Sequence, residues 1–307
     1  MMIIMTVLFS LGSAVKLGLK KGIPLVDQRT CYLMIEGECN AGCLFCIRPK
    51  DQSKLSRLPW YSFDLEKSIT QIEAIFERVC IQSISYNKFI FDIKDIITKF
   101  SIKIPISVSL SLKNYNEIDS LYGNVDKIGI GLDCARKDIF KQMKPYYSWS
   151  KTWKGIENAS EMFGKYNVIC HLIAGLGETE KDMILTFQKL FDMGTYPSLF
   201  AFTPIKGTIF EKLSPPNILS YRRLQIAQYL ITSNIKKAEE FHFEKGDIFF
   251  DNEDFNNLKP DIFVTRGCPS CDRPFYNESP KENIYNFPNM SLVPQDILKG
   301  ILDHKVY

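Results

Sequence analysis

Cys39-Asn-Ala-Gly-Cys43-Leu-Phe45-Cys46-Ile-Arg48 follows directly on an apolar run, Tyr32-Leu33-Met34-Ile35. The run reads as a buried strand and the cysteine-rich stretch as the loop leaving its end. Three cysteines at C-x3-C-x2-C spacing put three thiolate donors on one short loop. Iron–sulfur clusters are held by cysteine thiolates, and a cubane cluster normally takes four of them. A loop that offers three and stops leaves one iron open to a small molecule, much as a catalytic zinc site keeps an open position. Phe45, directly before the third cysteine, would shield such a cluster or flank a ligand beside it. A zinc site would need a fourth ligand, and no histidine lies nearby. A disulfide framework does not suit a chain of 307 residues with an odd count of 9 cysteines.

This spacing, with the aromatic at that place, resembles the signature of the radical S-adenosylmethionine (SAM) superfamily. The resemblance implies a 4Fe–4S cluster on Cys39, Cys43 and Cys46 whose open iron chelates the amine and carboxylate of SAM. It further implies that one electron from the cluster cleaves SAM to a 5′-deoxyadenosyl radical.

Outward from the loop, strand-like and helix-like patterns alternate. A helix is expected from a cap at Asp64 through Ile72, Ile75 and Phe76, then a strand from Val79 to Ser85. A helix over Phe89–Phe100, a strand over Ile104–Leu110 and a short helix over Glu117–Tyr122 follow. The next strand is Lys127–Asp133, then come helices at Lys137–Met143 and Trp153–Phe163 and the strand Asn167–Ala174. Helix Glu178–Met193, strand Leu199–Thr203 and helix Tyr221–Glu240 complete the series. Such alternation argues for parallel βαβ units. The expected fold is α/β, a radical-SAM (βα)6-type partial TIM barrel with an N-terminal helix and a loop-rich C-terminal extension. The expected divisions are an N-terminal helical segment over 1–30, the barrel over 31–243 and the extension over 244–307. In such barrels working residues sit at the C-terminal ends of the strands.

A hydrophobic content of 45% and an aromatic content of 13% are ample for a core. A net charge of +3 is too small to argue for nucleic acid or an anionic membrane. Cysteines mostly outside regular pairs suit a reducing, cytoplasmic setting. Met1 to Leu11 is apolar, but no basic region precedes it; Lys16, Lys20 and Lys21 follow it. It is shorter than the ~20 residues that span a bilayer, and reads as a helix packed on the domain.

Gly175-Leu-Gly177-Glu178 follows a strand and opens a helix, which allows close backbone approach and free N–H groups; it is also ordinary strand-to-helix punctuation. By the resemblance it matches the adenine-side motif. Asp133 would accept hydrogen bonds from the ribose hydroxyls, or cap the next helix. Thr203-Pro204, after the last strand, resembles a stretch that biotin synthase carries. The family's usual Gly-Gly-Glu for the methionine amine is absent, and Gln82, Ser83 and Ser85 occupy its expected strand.

The second informative stretch is Cys268-Pro-Ser-Cys271-Asp-Arg273-Pro-Phe-Tyr276-Asn277. As a zinc knuckle it lacks two ligands, and the tail offers only His242 and His304, neither at knuckle spacing. Cys80, in the setting Arg78-Val-Cys80, resembles a biotin-synthase cysteine that binds a second cluster inside the barrel. Cys80, Cys268 and Cys271 would then hold an auxiliary 4Fe–4S cluster, with a fourth ligand unnamed; a structural zinc stays open. Cys31, Cys134 and Cys170 read as small buried residues and His171 as a satisfied core histidine.

Together, Leu55-Ser56-Arg57, Pro59-Trp60, Cys80-Ile-Gln82, Gly131-Leu-Asp133, His171 to Glu178 and Gly267 to Asn277 resemble the biotin-synthase-related group that includes the split, two-protein lipoyl synthases. The resemblance implies sulfur insertion into an octanoyl chain on a lysine of a carrier protein, with the auxiliary cluster consumed as sulfur donor. It implies as partners a lipoyl carrier protein, a related radical SAM protein and an electron donor such as ferredoxin or flavodoxin. No catalytic side chain is assigned beyond the clusters. The alternatives are biotin-type sulfur insertion into a free small molecule, or another radical SAM reaction with a structural metal in the tail.

Overall fold

A strand, Thr6–Ser10 (β1), leads into the short helix Leu11–Lys16 (α1) and then to Thr30–Met34 (β2), the strand that feeds the cysteine loop. The computed structural model describes residues 5–101, 103–113, 115–256, 258–273, 275–298 and 301. The apolar N-terminal stretch is thus a strand where a helix was expected, and helix begins only at Leu11. β1 pairs antiparallel with β2 on one side and with a later strand on the other, and Val7, Leu8 and Phe9 are all buried. A short run that is apolar at every position carries no period to separate strand from helix. Residues 1–4 and His304 lie outside the described residues.

Residues 54–64 fold as a hairpin of Lys54–Leu55 (β3) and Leu58–Asp64 (β4). Ser56 turns it with a left-handed φ of 51°. Asp64 ends β4 and caps nothing beyond the N–H of Glu66, so the next helix, Ile69–Ile75 (α2), starts later than expected.

The βα series follows as Arg78–Gln82 (β5), Phe89–Lys99 (α3), Ile106–Leu110 (β6), Lys127–Asp133 (β7), Lys137–Met143 (α4) and Trp149–Phe163 (α5). Val168–Ala174 (β8), Glu180–Asp192 (α6), Thr195–Ala201 (β9) and Ile218–Thr232 (α7) complete it. α6 opens on a capping box in which Thr179 and Asp182 bond each other's backbone N–H. A turn at Gly194, φ 73°, starts β9 earlier than the expected Leu199. Past Thr232 the left-handed Asn234, φ 54°, stops the helix, and only a 3₁₀ turn over Ala238–Glu240 remains of its expected end.

The sheet runs β3-β4-β1-β2-β5-β6-β7-β8-β9. From β2 to β9 every neighbouring pair is parallel. β3 and β9, at the two ends of that order, do not pair, so the curled sheet is a half barrel rather than a closed one. Its strands are apolar and largely buried, as parallel strands covered on both faces must be. The hairpin His242–Glu244 (β10) and Asp247–Phe249 (β11) and several 3₁₀ turns make up the loop-rich extension.

The extension runs along the inside of the half barrel from one end to the other. Ser198, midway along β9, donates to the Arg266 carbonyl at 2.6 Å, and at the lower end Arg78 donates to the Pro269 carbonyl at 3.0 Å and Thr30 to the Ser270 carbonyl at 2.6 Å. Thr30 and Arg78 are the first residues of their strands. At the upper end, Asn277 donates to the carbonyl of Ala201, the last residue of β9, at 3.0 Å, and Thr203 donates to the Asn277 carbonyl at 2.7 Å. Pro269 and Ser270 thus lie at the strand starts and Asn277 at the mouth.

Candidate functional site: two thiol sets and the cavity between them

The cysteine loop is pinned from three sides. Asn40 N–H donates to the Ser85 carbonyl at 2.7 Å, and Leu44 N–H to the Met143 carbonyl at 2.9 Å. The Arg48 guanidinium, 2% exposed, donates to the carbonyls of Gly37, at 2.7 Å, and of Gln52. Those donor bonds across the loop make Arg48 its internal brace, since five N–H groups in a fixed fork can serve several carbonyls at once.

Cys39, Cys43 and Cys46 line one cavity of ≈ 170 Å³ together with Gln82, Ser83, Ser85, Ser111 and Asp133. The Ser85 N–H points to the Cys39 sulfur at 3.5 Å. Burial pushes the Cys43 thiol up to about 12 against the pull of Lys144, and the Cys46 thiol up to about 11 against a backbone N–H bond at Arg48. Thiols this protonated must release protons when they bind metal. Three thiols and a ring of hydroxyl and carboxylate groups on one cavity fit a thiolate-held cluster with a polar small molecule beside it.

Asp133 has a left-handed φ of 66° and is the last residue of β7. Its carboxylate is held at 2.7 Å by Lys144, a wholly buried lysine that also donates to the Gly131 carbonyl at 2.5 Å. Burial by itself would lower the Lys144 pKa; Asp133 and Cys43 outweigh it and raise the value.

A second cavity, ≈ 190 Å³ and mostly apolar, adjoins the first. Ile47, Leu55, Ile173, Phe200 and Phe202 form its greasy walls. It shares Phe45 and Cys46 with the thiol cavity, and Thr203, Arg273, Tyr276 and Asn277 complete it.

Beneath it, Cys80, Cys268 and Cys271 line a third and much smaller pocket with Tyr32, Arg78, His171 and Arg273. Gln82 donates to the Cys80 sulfur at 3.0 Å, and the Tyr32 hydroxyl lies 3.6 Å from the Cys271 sulfur. Burial, then the neighbouring Cys271 and Cys80, push the Cys268 thiol up to about 12. The structure thus brings the two tail cysteines to Cys80, residues far apart in the chain. Their donor chemistry fits a cluster, but the pocket offers ≈ 10 Å³, about the room of one water and far short of a four-iron unit. Among the described residues no group of three or more His, Cys, Asp or Glu side chains is arranged to hold a single metal ion. The thiols line shared pockets without converging on one point.

Of the residues expected at the small-molecule site, Phe45, Gln82, Ser83 and Asp133 line the first cavity, and Thr203 lines the apolar one. Gly175 and Glu178 line none of the three. The Glu178 carboxylate instead accepts the N–H groups of Gly175, at 2.6 Å, and Leu176, at 3.0 Å, so the turn satisfies its own donors. Cys31, Cys134 and Cys170 are fully buried. His171, expected as an ordinary core residue, faces inward onto all three pockets. Lys144, Tyr32 and Arg273 are the contributors that pattern reading passed over; Arg273 lay inside the tail motif, whereas nothing around Lys144 or Tyr32 distinguished them from surface or core residues.

A family model described as the Radical SAM superfamily matches residues 36–190. Among solved structures, methylornithine synthase (PylB) matches with 12% identity and a TM-score of 0.51 over 68% of this chain and 64% of its own. HydG, a maturase of the [FeFe]-hydrogenase, matches with 14% identity and a TM-score of 0.51 over 67% of this chain and 49% of its own. A radical SAM methyltransferase from Sphaerobacter thermophilus matches with 14% identity and a TM-score of 0.50 over 76% of this chain and 68% of its own. This chain therefore spans less than two thirds of the length of the first two. At such identities the likeness is one of fold. No curated protein matches the sequence. Among the described residues no helix is long and apolar enough to cross a membrane.

Proposed function

This chain belongs to the radical SAM superfamily, and from that premise we propose that it inserts sulfur into unactivated C–H bonds of a protein-bound octanoyl chain, as one half of lipoyl synthesis. The observation that carries the reading is the place of the apolar cavity, which shares Phe45 and Cys46 with one thiol set and His171 and Arg273 with the other. An aliphatic C–H has no acidic proton, so no side-chain base opens it. A 4Fe–4S cluster held by Cys39, Cys43 and Cys46, with SAM, supplies when bound the electron and the carbon radical that such a bond requires.

The chain's own residues do the rest. Gln82, Ser83 and Asp133 would hold the polar small molecule, with Asp133 aimed by Lys144. Ile47, Leu55, Ile173, Phe200 and Phe202 would take up an alkyl chain by burial and keep water from it. That enclosure fixes which carbon faces the Phe45 side, and position rather than acid–base chemistry then selects the bond. The reading requires Cys80, Cys268 and Cys271 to carry the sulfur source as a consumable iron–sulfur group, for which their pocket of ≈ 10 Å³ would have to widen. A lipoyl carrier protein, a related radical SAM protein and a ferredoxin or flavodoxin, all in the cytoplasm, complete the proposal.

The test is iron and acid-labile sulfide per chain after anaerobic reconstitution, in the wild type and in the Cys268→Ala/Cys271→Ala variant. About eight irons falling to about four supports the sulfur-donor reading. About four in both, with zinc lost from the variant, sinks it and leaves a radical SAM enzyme of another reaction.

A further inference from the structure

Among the described residues, the apolar cavity and the lower thiol pocket share two lining residues, His171 and Arg273. The two are bonded to each other: an Arg273 terminal nitrogen lies 3.1 Å from His171 Nε2. A guanidinium only donates, so Nε2 is the acceptor and the imidazole carries its proton on Nδ1, which faces the Ser109 hydroxyl at 3.5 Å. Burial first, then Arg273 and Lys144, hold the His171 pKa well below its usual value, which agrees with a neutral ring.

Three further features hold this pair in place. Gly129 leaves space for the ring, because a Cβ there would meet His171 Cε1 at 2.9 Å. The guanidinium stacks 4.0 Å over Phe200, a wall of the apolar cavity. The Arg273 backbone sits in the left-handed region at φ 31°, and the Tyr32 hydroxyl oxygen accepts its N–H at 2.9 Å. Among the described residues no carboxylate forms an ion pair with Arg273, which lines the lower pocket beside Cys271, Cys80, Cys268 and Tyr32. The pocket behind it has room for about one water.

We propose that Arg273 is a latched partition: its guanidinium, held on His171 Nε2, closes the Cys80–Cys268–Cys271 pocket from the apolar cavity, and its release joins the two into one chamber. His171 is then a positioning residue, acting through Arg273. The use of that chamber, sulfur transfer to an alkyl carbon, rests on the proposed function; the latch does not.

The experiment uses metal-free full chain and iodoacetamide as the probe, with site-resolved mass spectrometry comparing alkylation of Cys80 with that of Cys39 in the same sample. His171→Phe removes the acceptor, His171→Gln keeps one, and Arg273→Ala removes the partition. Cys80 labelling should rise roughly tenfold relative to Cys39 in His171→Phe and Arg273→Ala and stay near wild type in His171→Gln. Equal labelling in His171→Phe and His171→Gln, whether raised or not, overturns the latch even where Arg273→Ala fails to fold. Unchanged labelling in a folded Arg273→Ala overturns the partition. Iron stoichiometry of the reconstituted wild type reports on the sulfur-donor reading separately, so the two can fail independently.

Discussion

The Lys144 ammonium stands 2.7 Å from the Asp133 carboxylate with its own side chain wholly out of water, and Asp133 is among the residues that face both the first thiol cavity and the apolar one. A buried cation of this kind fixes its partner more than it stabilises the fold. Lys144→Met leaves Asp133 a mostly buried, unpaired carboxylate, and should cost on the order of 3 kcal/mol in urea unfolding of the metal-free protein. Lys144→Met/Asp133→Leu should recover a good part of that loss. A double variant no more stable than Lys144→Met would mean that the pair is not the source of the cost.

Tyr32 organises the tail. Its hydroxyl accepts the N–H groups of Asp272, at 3.1 Å, and Arg273, at 2.9 Å, and donates to the Asp272 carboxylate at 3.0 Å. Tyr32→Phe deletes one oxygen and orphans three buried groups, a loss of roughly 1–3 kcal/mol. Thermal unfolding would read the stability. Iron analysis of reconstituted Tyr32→Phe should show metal lost from the tail thiols while the Cys39–Cys43–Cys46 set keeps its share.

Gly129 is needed for room rather than for a turn. Its added Cβ would meet His171 Cε1 at 2.9 Å and Nε2 at 3.1 Å, and the ring is held by Arg273 through that same Nε2. Gly129→Ala should therefore destabilise by roughly 1–3 kcal/mol, the usual cost of overpacking. Gly123→Ala meets no atom within 4 Å but has a φ of 78°, so its cost is backbone strain alone; of the two, only Gly129→Ala should alter Cys80 labelling.

Glu278 makes stability depend on pH. Burial raises its pKa from 4.5 to about 7, against the opposing pull of the Asn286 N–H and of Arg222 and Arg57. The folded state then holds a proton that the unfolded chain releases, so stability is full below pH 4.5 and falls as pH rises through the interval to about 7. Glu278→Gln keeps an acceptor for Asn286, 3.2 Å away in the wild type, and loses the ionisation. It should match the wild type near pH 4.5 and exceed it by about 3 kcal/mol at pH 8. Denaturant midpoints at the two pH values check this; a constant difference would assign the effect to packing.

The sequence by itself determined the family, the parallel βα succession and the loop that carries Cys39, Cys43 and Cys46. These are local: a strand's apolar run and three donors a few residues apart keep their meaning whatever surrounds them. Where reading failed, the deciding contacts were distant. Thr6 to Ser10 is a strand only because β2 and β4 flank it, and Gly175 and Glu178 turned out to serve each other rather than a ligand. Tertiary structure alone set the tail inside the half barrel, brought Cys80 to Cys268 and Cys271, and placed His171 and Arg273 between two pockets. No periodicity encodes such a meeting, because it joins β2, β5, β8 and a loop from the far end of the chain. Only the closing of the sheet around that loop brings the groups within bonding distance.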